Sequence, residues 1–303
     1  MTLIRNGAVS VAGADDALVR AFEAHRARLL RVAYATVGSV SEAEDCVQEA
    51  WLRLRAQDPA SIRDLGAWLT TTVSRLAYDT LGSARARRER YVGPWLPEPL
   101  VEDLAADDPA DRVTLDESVS MALLVVLERL SPAERTAFLL HDVFGLEFEE
   151  VAGVVGRTPA AVRQLASRAR RHVEDGRPRF PPTLAQQRRL VAAFADACGD
   201  GDMERLVALL DPGVVWRSDG GGKVSAARPA KPGAQNVARW LIALARRPPR
   251  SLRMAMVNGA PGLVMRDGDG VLTVIAFTID ADRITAMDVM RNPDKLTTVH
   301  DSG

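Results

Sequence analysis

The chain has 303 residues, with 39 basic and 40 acidic side chains and a net charge of −1. Its length allows two or three domains with cores of their own. A composition of 47% hydrophobic and 26% charged residues is that of a globular protein. The charge is segregated: 75–90 and 157–179 are strongly basic and 98–117 is strongly acidic. A local nucleic-acid footprint therefore survives a neutral sum.

No apolar run is long enough to cross a membrane. The N-terminus, MTLIRNGAVSVAGADD, lacks a basic stretch followed by an apolar core. A cytoplasmic protein is expected, with residues 1–15 as a loose tail. Cys46 and Cys198 fall in different expected domains and suit reduced structural thiols. His25, His141, His172 and His300 are scattered without metal-ligand spacing, so neither a metal nor a cofactor is expected.

Residues 16–37 predict a helix, closed by Gly38. Ser41-Glu42-Ala43-Glu44 reads as a capping box that opens the next helix. Val47, Ala50, Trp51 and Leu54 form its buried stripe, with Asp45, Gln48, Glu49, Leu52 and Arg53 on the far side. An apolar Leu52 among polar neighbours marks either a partner surface or an ordinary exposed leucine. Residues 65–91 predict a third helix, with a stripe of Leu69, Val73, Leu76 and Thr80. Trp68, Thr71, Arg75 and Tyr78 lie roughly opposite, ahead of Arg85, Arg87, Arg88 and Arg90. Aromatics beside arginines suit unpaired bases, since rings stack on bases while guanidinium groups follow phosphates. Trp68 suits the core equally well.

Residues 91–111 (YVGPWLPEPLVEDLAADDPAD) read as an extended, Pro-punctuated, acidic segment. Trp95 and Leu96 between prolines predict a segment that docks. Glu98, Glu102, Asp103, Asp107 and Asp108 are expected to face a basic nucleic-acid channel. Residues 113–130 predict a helix, and Ser131-Pro132-Ala133-Glu134 starts another that runs through Leu140. In 146–173, a helix through Glu149 and Val155 closes at Gly156, and Thr158 and Pro159 open a second. On that second helix Val162, Leu165, Ala166, Ala169 and Val173 share one face. Arg163, Gln164, Ser167, Arg168 and Arg171 share the other, which carries no acid. Arg pairs bidentately with guanine and Gln with adenine, so this is a helix-turn-helix offering its second helix to a major groove. A solvated basic helix is the plainer alternative.

Beyond Phe180 the pattern changes to α+β. Helices are expected over 186–198, 202–210 and 233–246. Strands are expected over 214–218, 252–257, 263–265, 271–278 and 283–290, the last four as an antiparallel meander. Asp219-Gly220-Gly221-Gly222-Lys223 has the wrong spacing for a phosphate-binding loop and reads as a strand-end turn.

AEDCVQEAWLRL, AWLTTTVSRLAYDTLGSARARR and the helix-turn-helix together resemble regions 2 and 4 of a bacterial RNA polymerase sigma factor of the extracytoplasmic-function group. WLPEP (Trp95, Leu96, Pro97, Glu98, Pro99), DGGGK (Asp219, Gly220, Gly221, Gly222, Lys223) and Asn292-Pro293-Asp294-Lys295-Leu296 resemble motifs of the subgroup with a fused SnoaL-like C-terminal domain. The implied fold is multidomain: two all-α domains and then an α+β cone-shaped barrel. The implied segments are a tail (1–15), region 2 (16–91), a linker (92–112), region 4 (113–178) and the SnoaL-like domain (180–303). The resemblance implies that Asp45, Gln48, Glu49, Leu52 and Arg53 dock on the β′ clamp helices of core RNA polymerase, with the β flap as a further contact. It assigns minus-ten recognition and melting to Trp68, Arg75, Tyr78, Asp79, Arg85, Arg87 and Arg88. Many relatives carry a polar residue such as Asn where this chain has Ala77 or Tyr78. Minus-35 recognition falls to Thr158, Arg163, Gln164, Ser167, Arg168 and Arg171. The three motifs, as regulatory interdomain contacts, imply regulation from within, without a separate anti-sigma factor. The SnoaL-like interior makes a small-molecule ligand a candidate partner.

The alternatives from other classes are a helix-turn-helix repressor and a SnoaL-like isomerase or hydrolase joined to a DNA-binding module. The repressor does not need region 2. The enzyme would need a general base, and beyond Phe180 the only histidine is His300 at the tail.

Overall fold

The computed structural model describes residues 9–58, 61–88, 91–103, 119–176, 178, 180–226, 232–247 and 249–299, with 9–15 and 84–88 described by backbone alone. Asp107, Asp108 and the 113–118 start of an expected helix lie outside these residues, as do the side chains of Arg85, Arg87 and Arg88. In chain order the elements are α1 (Val9–Val37), α2 (Val40–Arg55), α3 (Leu65–Arg88), β1 (Val101–Asp103), α4 (Met121–Leu127) and α5 (Pro132–Phe138). A π-helical turn (Leu139–Val143), α6 (Phe148–Val155), α7 (Pro159–Gly176), α8 (Leu184–Asp200), α9 (Met203–Leu209) and β2 (Leu210–Asp219) follow. Last come α10 (Ala234–Ala245), β3 (Ser251–Val257), β4 (Ala260–Arg266), β5 (Leu272–Asp280) and β6 (Arg283–Met290). The chain packs as two compact units, Met1–Gly82 with Pro132–Ala166, and Ser83–Ser131 with Ser167–Gly303.

In the first unit α1 begins at Val9, so it takes in 9–15 of the expected tail. The second helix is capped by Ser39 rather than Ser41: Gly38 turns the chain at φ 76°, and Ser39 Oγ accepts from Glu42 N at 3.5 Å. Ala43, Cys46, Val47, Ala50 and Leu54 are buried, while Trp51 is half-buried and packs on Phe22 at 4.9 Å. In α3 the fully buried stripe is Leu69, Val73, Ala77 and Leu81 at four-residue spacing, with Leu76 and Thr80 half-buried beside it.

Beyond Phe138 the expected α-helix widens into the π turn, where Phe144 N donates to Leu139 O at 3.0 Å. The wider turn lets both Leu139 and Leu140 bury completely. A core of Ala137, Leu140, Leu146, Val151, Val154, Val155, Val162 and Ala166 joins α5, α6 and α7 to Val32 of α1. Arg135, only 1% exposed, reaches across this unit to donate to Ala35 O at 3.0 Å.

The second unit is built on a six-stranded sheet of order β1-β3-β4-β5-β6-β2. The meander β3–β6 is antiparallel as expected, and β2 lies parallel to β6. One sheet face meets α8, α9 and α10 through Val191, Phe194, Leu206, Val237, Ile284, Met287 and neighbours. The other face is covered by chain from before residue 131: Leu96 and Met121 pack with Ala255, Val264, Val274, Met290, Leu296 and Val299. An unforeseen strand, β1, pairs antiparallel with β3, Val101 opposite Val257.

Met287 is 0% exposed in the helix-facing core. Met287→Ala is expected to destabilise the second unit by about 2–5 kcal/mol, measured by urea unfolding.

Candidate nucleic-acid interface

The helix-turn-helix forms as its sequence dictates. Glu147 N donates to the Glu150 carboxylate at 2.9 Å at the start of α6, and Gly156 ends it at φ 64°. Thr158 Oγ1 accepts from Ala161 N at 3.2 Å, which caps α7. Val162, Ala166, Ala169 and Val173 are buried and Leu165 is half-buried. Thr158, Arg163, Gln164, Ser167, Arg168 and Arg171 are all exposed, so the donor face is open along one continuous helix.

On α2, Asp45, Gln48, Leu52 and Arg53 are exposed, Leu52 by 52%, and half-buried Glu49 pairs with Arg53 at 2.8 Å. The minus-ten set is arranged differently from the free face expected of it. Asp79 is exposed and Trp68 is half-buried. Tyr78 packs against the core that includes Leu146 and Val151. Arg75 donates to Gly153 O of α6 at 3.1 Å. Two residues of α3 are thus engaged by the helix-turn-helix, a tertiary contact with no local sequence signal.

The three interdomain motifs meet at one carboxylate. Asp219, 0% exposed at the end of β2, accepts at Oδ1 from the Tyr91 hydroxyl (2.6 Å) and Gly221 N (3.0 Å). Its Oδ2 accepts from Leu96 N (2.9 Å) and Lys295 Nζ (2.9 Å). Lys295 Nζ also donates to Leu96 O at 2.5 Å and sits 3.9 Å from the centre of the Trp95 ring. Asn292 donates to the Tyr91 hydroxyl at 2.7 Å. The glycines between them are steric requirements: Gly221 holds φ +62°, and a Cβ there would stand 2.5 Å from the Asn292 amide. Lys223 and Asp294 close the rim with an exposed pair at 2.6 Å.

Glu98, expected on an acidic face, is instead buried to 5% between two buried prolines. Asp103 pairs with Arg253 at 2.5 Å, while Glu102 is half-buried in β1. Sequence reasoning missed Tyr91 and Asn258 as dock residues. Asn258 N donates to Leu100 O at 2.8 Å and its side chain accepts from Leu100 N at 3.1 Å. Its φ of 49° is that of an Asn-Gly hairpin turn, and the dipeptide was the signal available. Also missed was Arg217, which forks onto the buried Asp288 carboxylate. Burial works against that guanidinium's charge, yet Asp288 outweighs it and holds the pKa above its ordinary value.

A cavity of about 630 Å³ lies in the second unit, walled by Leu123, three prolines, Leu184, Phe277 and Ile279. Its polar edge is committed elsewhere: Ser120 caps Leu123, Thr183 caps α8 and Gln187 donates to Pro182 O. Burial raises the Cys198 thiol to about 12, which keeps it protonated and unreactive near neutrality. Among the described residues no His, Cys, Asp and Glu cluster could hold a metal, and no helix is long and apolar enough to cross a membrane.

Comparison with known proteins fits this geometry. Residues 21–88 match the Sigma-70 region 2 family and residues 120–173 match Sigma-70, region 4. What these two regions define is a sigma factor of bacterial RNA polymerase. The chain belongs to the extracytoplasmic-function (ECF) sigma factors, in the subgroup with a fused SnoaL-like C-terminal domain. It is 43% identical to the ECF RNA polymerase sigma factor SigJ of Mycobacterium tuberculosis strain H37Rv, over 92% of this chain and 93% of that protein. It is 38% identical to the probable ECF sigma factor SigI of the same species, over 93% of this chain and 95% of that one. The crystal structure of M. tuberculosis SigJ superimposes with a TM-score of 0.77 at 40% identity, covering 92% of this chain and 98% of SigJ.

Asp219→Ala removes the counter-charge of a mostly buried Lys295 and is expected to cost about 3–5 kcal/mol, read by chemical unfolding. Burial, then the hydrogen bond to Asp219, raises the Tyr91 pKa, so the folded state favours the neutral phenol. This contribution is complete below the ordinary tyrosine value of about 10 and is lost as pH rises through the higher folded value. Above pH about 10 the stability of the unmodified chain is expected to fall more steeply than that of Tyr91→Phe.

Proposed function

We propose that this sigma factor engages core RNA polymerase through Asp45, Gln48, Glu49, Leu52 and Arg53, and reads the minus-35 element with Thr158, Arg163, Gln164, Ser167, Arg168 and Arg171. The observation that carries this is the unbroken exposed face of α7, which aligns guanidinium, amide and hydroxyl donors over a buried apolar stripe. Trp68, Arg75, Tyr78 and Asp79 act at the minus-ten element, with the arginines that end α3. Because Arg75 and Tyr78 are held by α6, that step requires α6 to move off α3.

The C-terminal domain regulates by holding the 91–103 segment. The Asp219 dock supports this reading, because it fixes the chain that joins regions 2 and 4 to the sheet at a buried charge. The protein acts by binding, in the cytoplasm, as a regulator and not an enzyme, and needs no separate anti-sigma factor. A ligand of the C-terminal domain would be apolar, since the cavity offers apolar walls and few uncommitted polar groups.

In vitro transcription with core polymerase tests the reading. Full-length chain should give promoter-dependent transcripts, and Asp219→Ala should change their yield. Retained DNA binding without any transcript would leave a repressor instead. Arg168→Ala should cost about 1–3 kcal/mol on promoter sequences carrying the base it reads. An equal loss on all sequences would place Arg168 on a phosphate.

A further inference from the structure

Three side chains from separate segments stack at the entrance to the recognition helix. The His141 ring lies on the Phe148 ring at 3.7 Å between centroids, 27° from parallel. Arg163 of α7 places its guanidinium carbon over the same Phe148 ring, 4.9 Å from the centre. The one ring is thus in contact with both the imidazole and the guanidinium. The imidazole is fixed in turn: its Nδ1 lies 2.8 Å from Leu146 O, and because a carbonyl only accepts, Nδ1 carries the proton. The π turn sets that geometry, with Gly145 N bonded to His141 O and Leu146 N to Leu140 O, so His141 lies beside the first residue of α6.

We infer that His141 and Phe148 are positioning residues that hold Arg163 extended for base reading. An unrestrained arginine loses much rotamer freedom on pairing. A cation–π contact uses the face of the guanidinium plane, whereas bidentate pairing to guanine uses its N–H edge, so the stack can persist while the base is read. The rival partner, Glu149, is weakly placed: its carboxylate lies 3.5 Å from Arg163, and both side chains are more than half exposed. DNA phosphate can displace such a solvated pair more readily than it can displace a packed ring. The inference rests on the assignment of Arg163 as a base reader.

The test uses holoenzyme formed from core polymerase and full-length chain, enriched on a randomised duplex whose bound fraction is sequenced. Arg163→Ala identifies the position that Arg163 reads by abolishing preference there. Phe148→Leu should lower preference at that same position about two- to fivefold, the contribution of an exposed cation–π contact, and leave other positions unchanged. Phe148→Tyr should keep it, since the ring is retained. Phe148→Met, unbranched and able to fill an irregular gap, replaces Phe148→Leu if the branched side chain unfolds the domain. Unchanged preference in Phe148→Leu or Phe148→Met, or an equal flattening at every position, would overturn the positioning role. If Arg163→Ala alters no position, the base-reading assignment falls first and the stack has nothing to present.

Discussion

A carboxylate with no exposed surface must find its hydrogen bonds inside the protein, and the second unit is arranged to supply them. Asp219 draws donors from the chain before the sheet, from its own turn and from the last strand's exit. The same segments also meet through the apolar packing of Leu96 on Met290 and Leu296 and through the Lys223–Asp294 pair. The linker contributes a phenol and a backbone N–H, the DGGGK turn contributes a backbone N–H that only a left-handed glycine can present, and the C-terminal motif contributes an ammonium group. The positive charge is held in turn by an aromatic face and a carbonyl, so both members of the pair are solvated by protein rather than water. Because the partners are so unlike, the dock is demanding: a shift of any segment strands a charge in a dry site.

The first unit is held together differently. Its helices join through small and branched residues, and the buried Arg135 ties α5 to Ala35 O of α1. Its exposed residues Asp45, Gln48, Leu52 and Arg53 of α2, and Thr158, Arg163 and Gln164 at the start of α7, are among those that meet polymerase and DNA in the proposed function. Arg75 and Tyr78, given to the minus-ten element in that proposal, are engaged by a helix backbone carbonyl and a hydrophobic cluster.

Helices were legible in the sequence because burial repeats at 3.6 and Gly38, Gly156 and Thr158 punctuate them locally, and the meander strands because apolar runs stop at turns holding Gly259, Gly268 and Gly270. The exposed face of α7 was legible for the same reason. The short β1 was not: three residues, two of them acidic, carry no period, and only pairing with β3 makes them a strand. The π turn escaped because Leu139 and Leu140 continue a helical pattern until the packing of Leu146 widens it. The motif residues around Asp219 stood out by resemblance, yet their geometry could not be read. Tyr91 lies 128 positions from its acceptor, and an acidic Glu98 gives no local hint that it will be buried.

The strand β1 completes the sheet at one side, and this has a cost when the linker departs. Without it, β3 becomes an edge, with backbone N–H and C=O groups facing water over Ala255 to Val257 and an apolar groove where Leu96 had been. Such an edge is a template for adding any extended strand. In the proposed function, release of the linker would leave β3 as an adhesive edge. Pairing with β1 keeps that edge covered from Ala255 to Val257, so the linker also shields the sheet from strand addition.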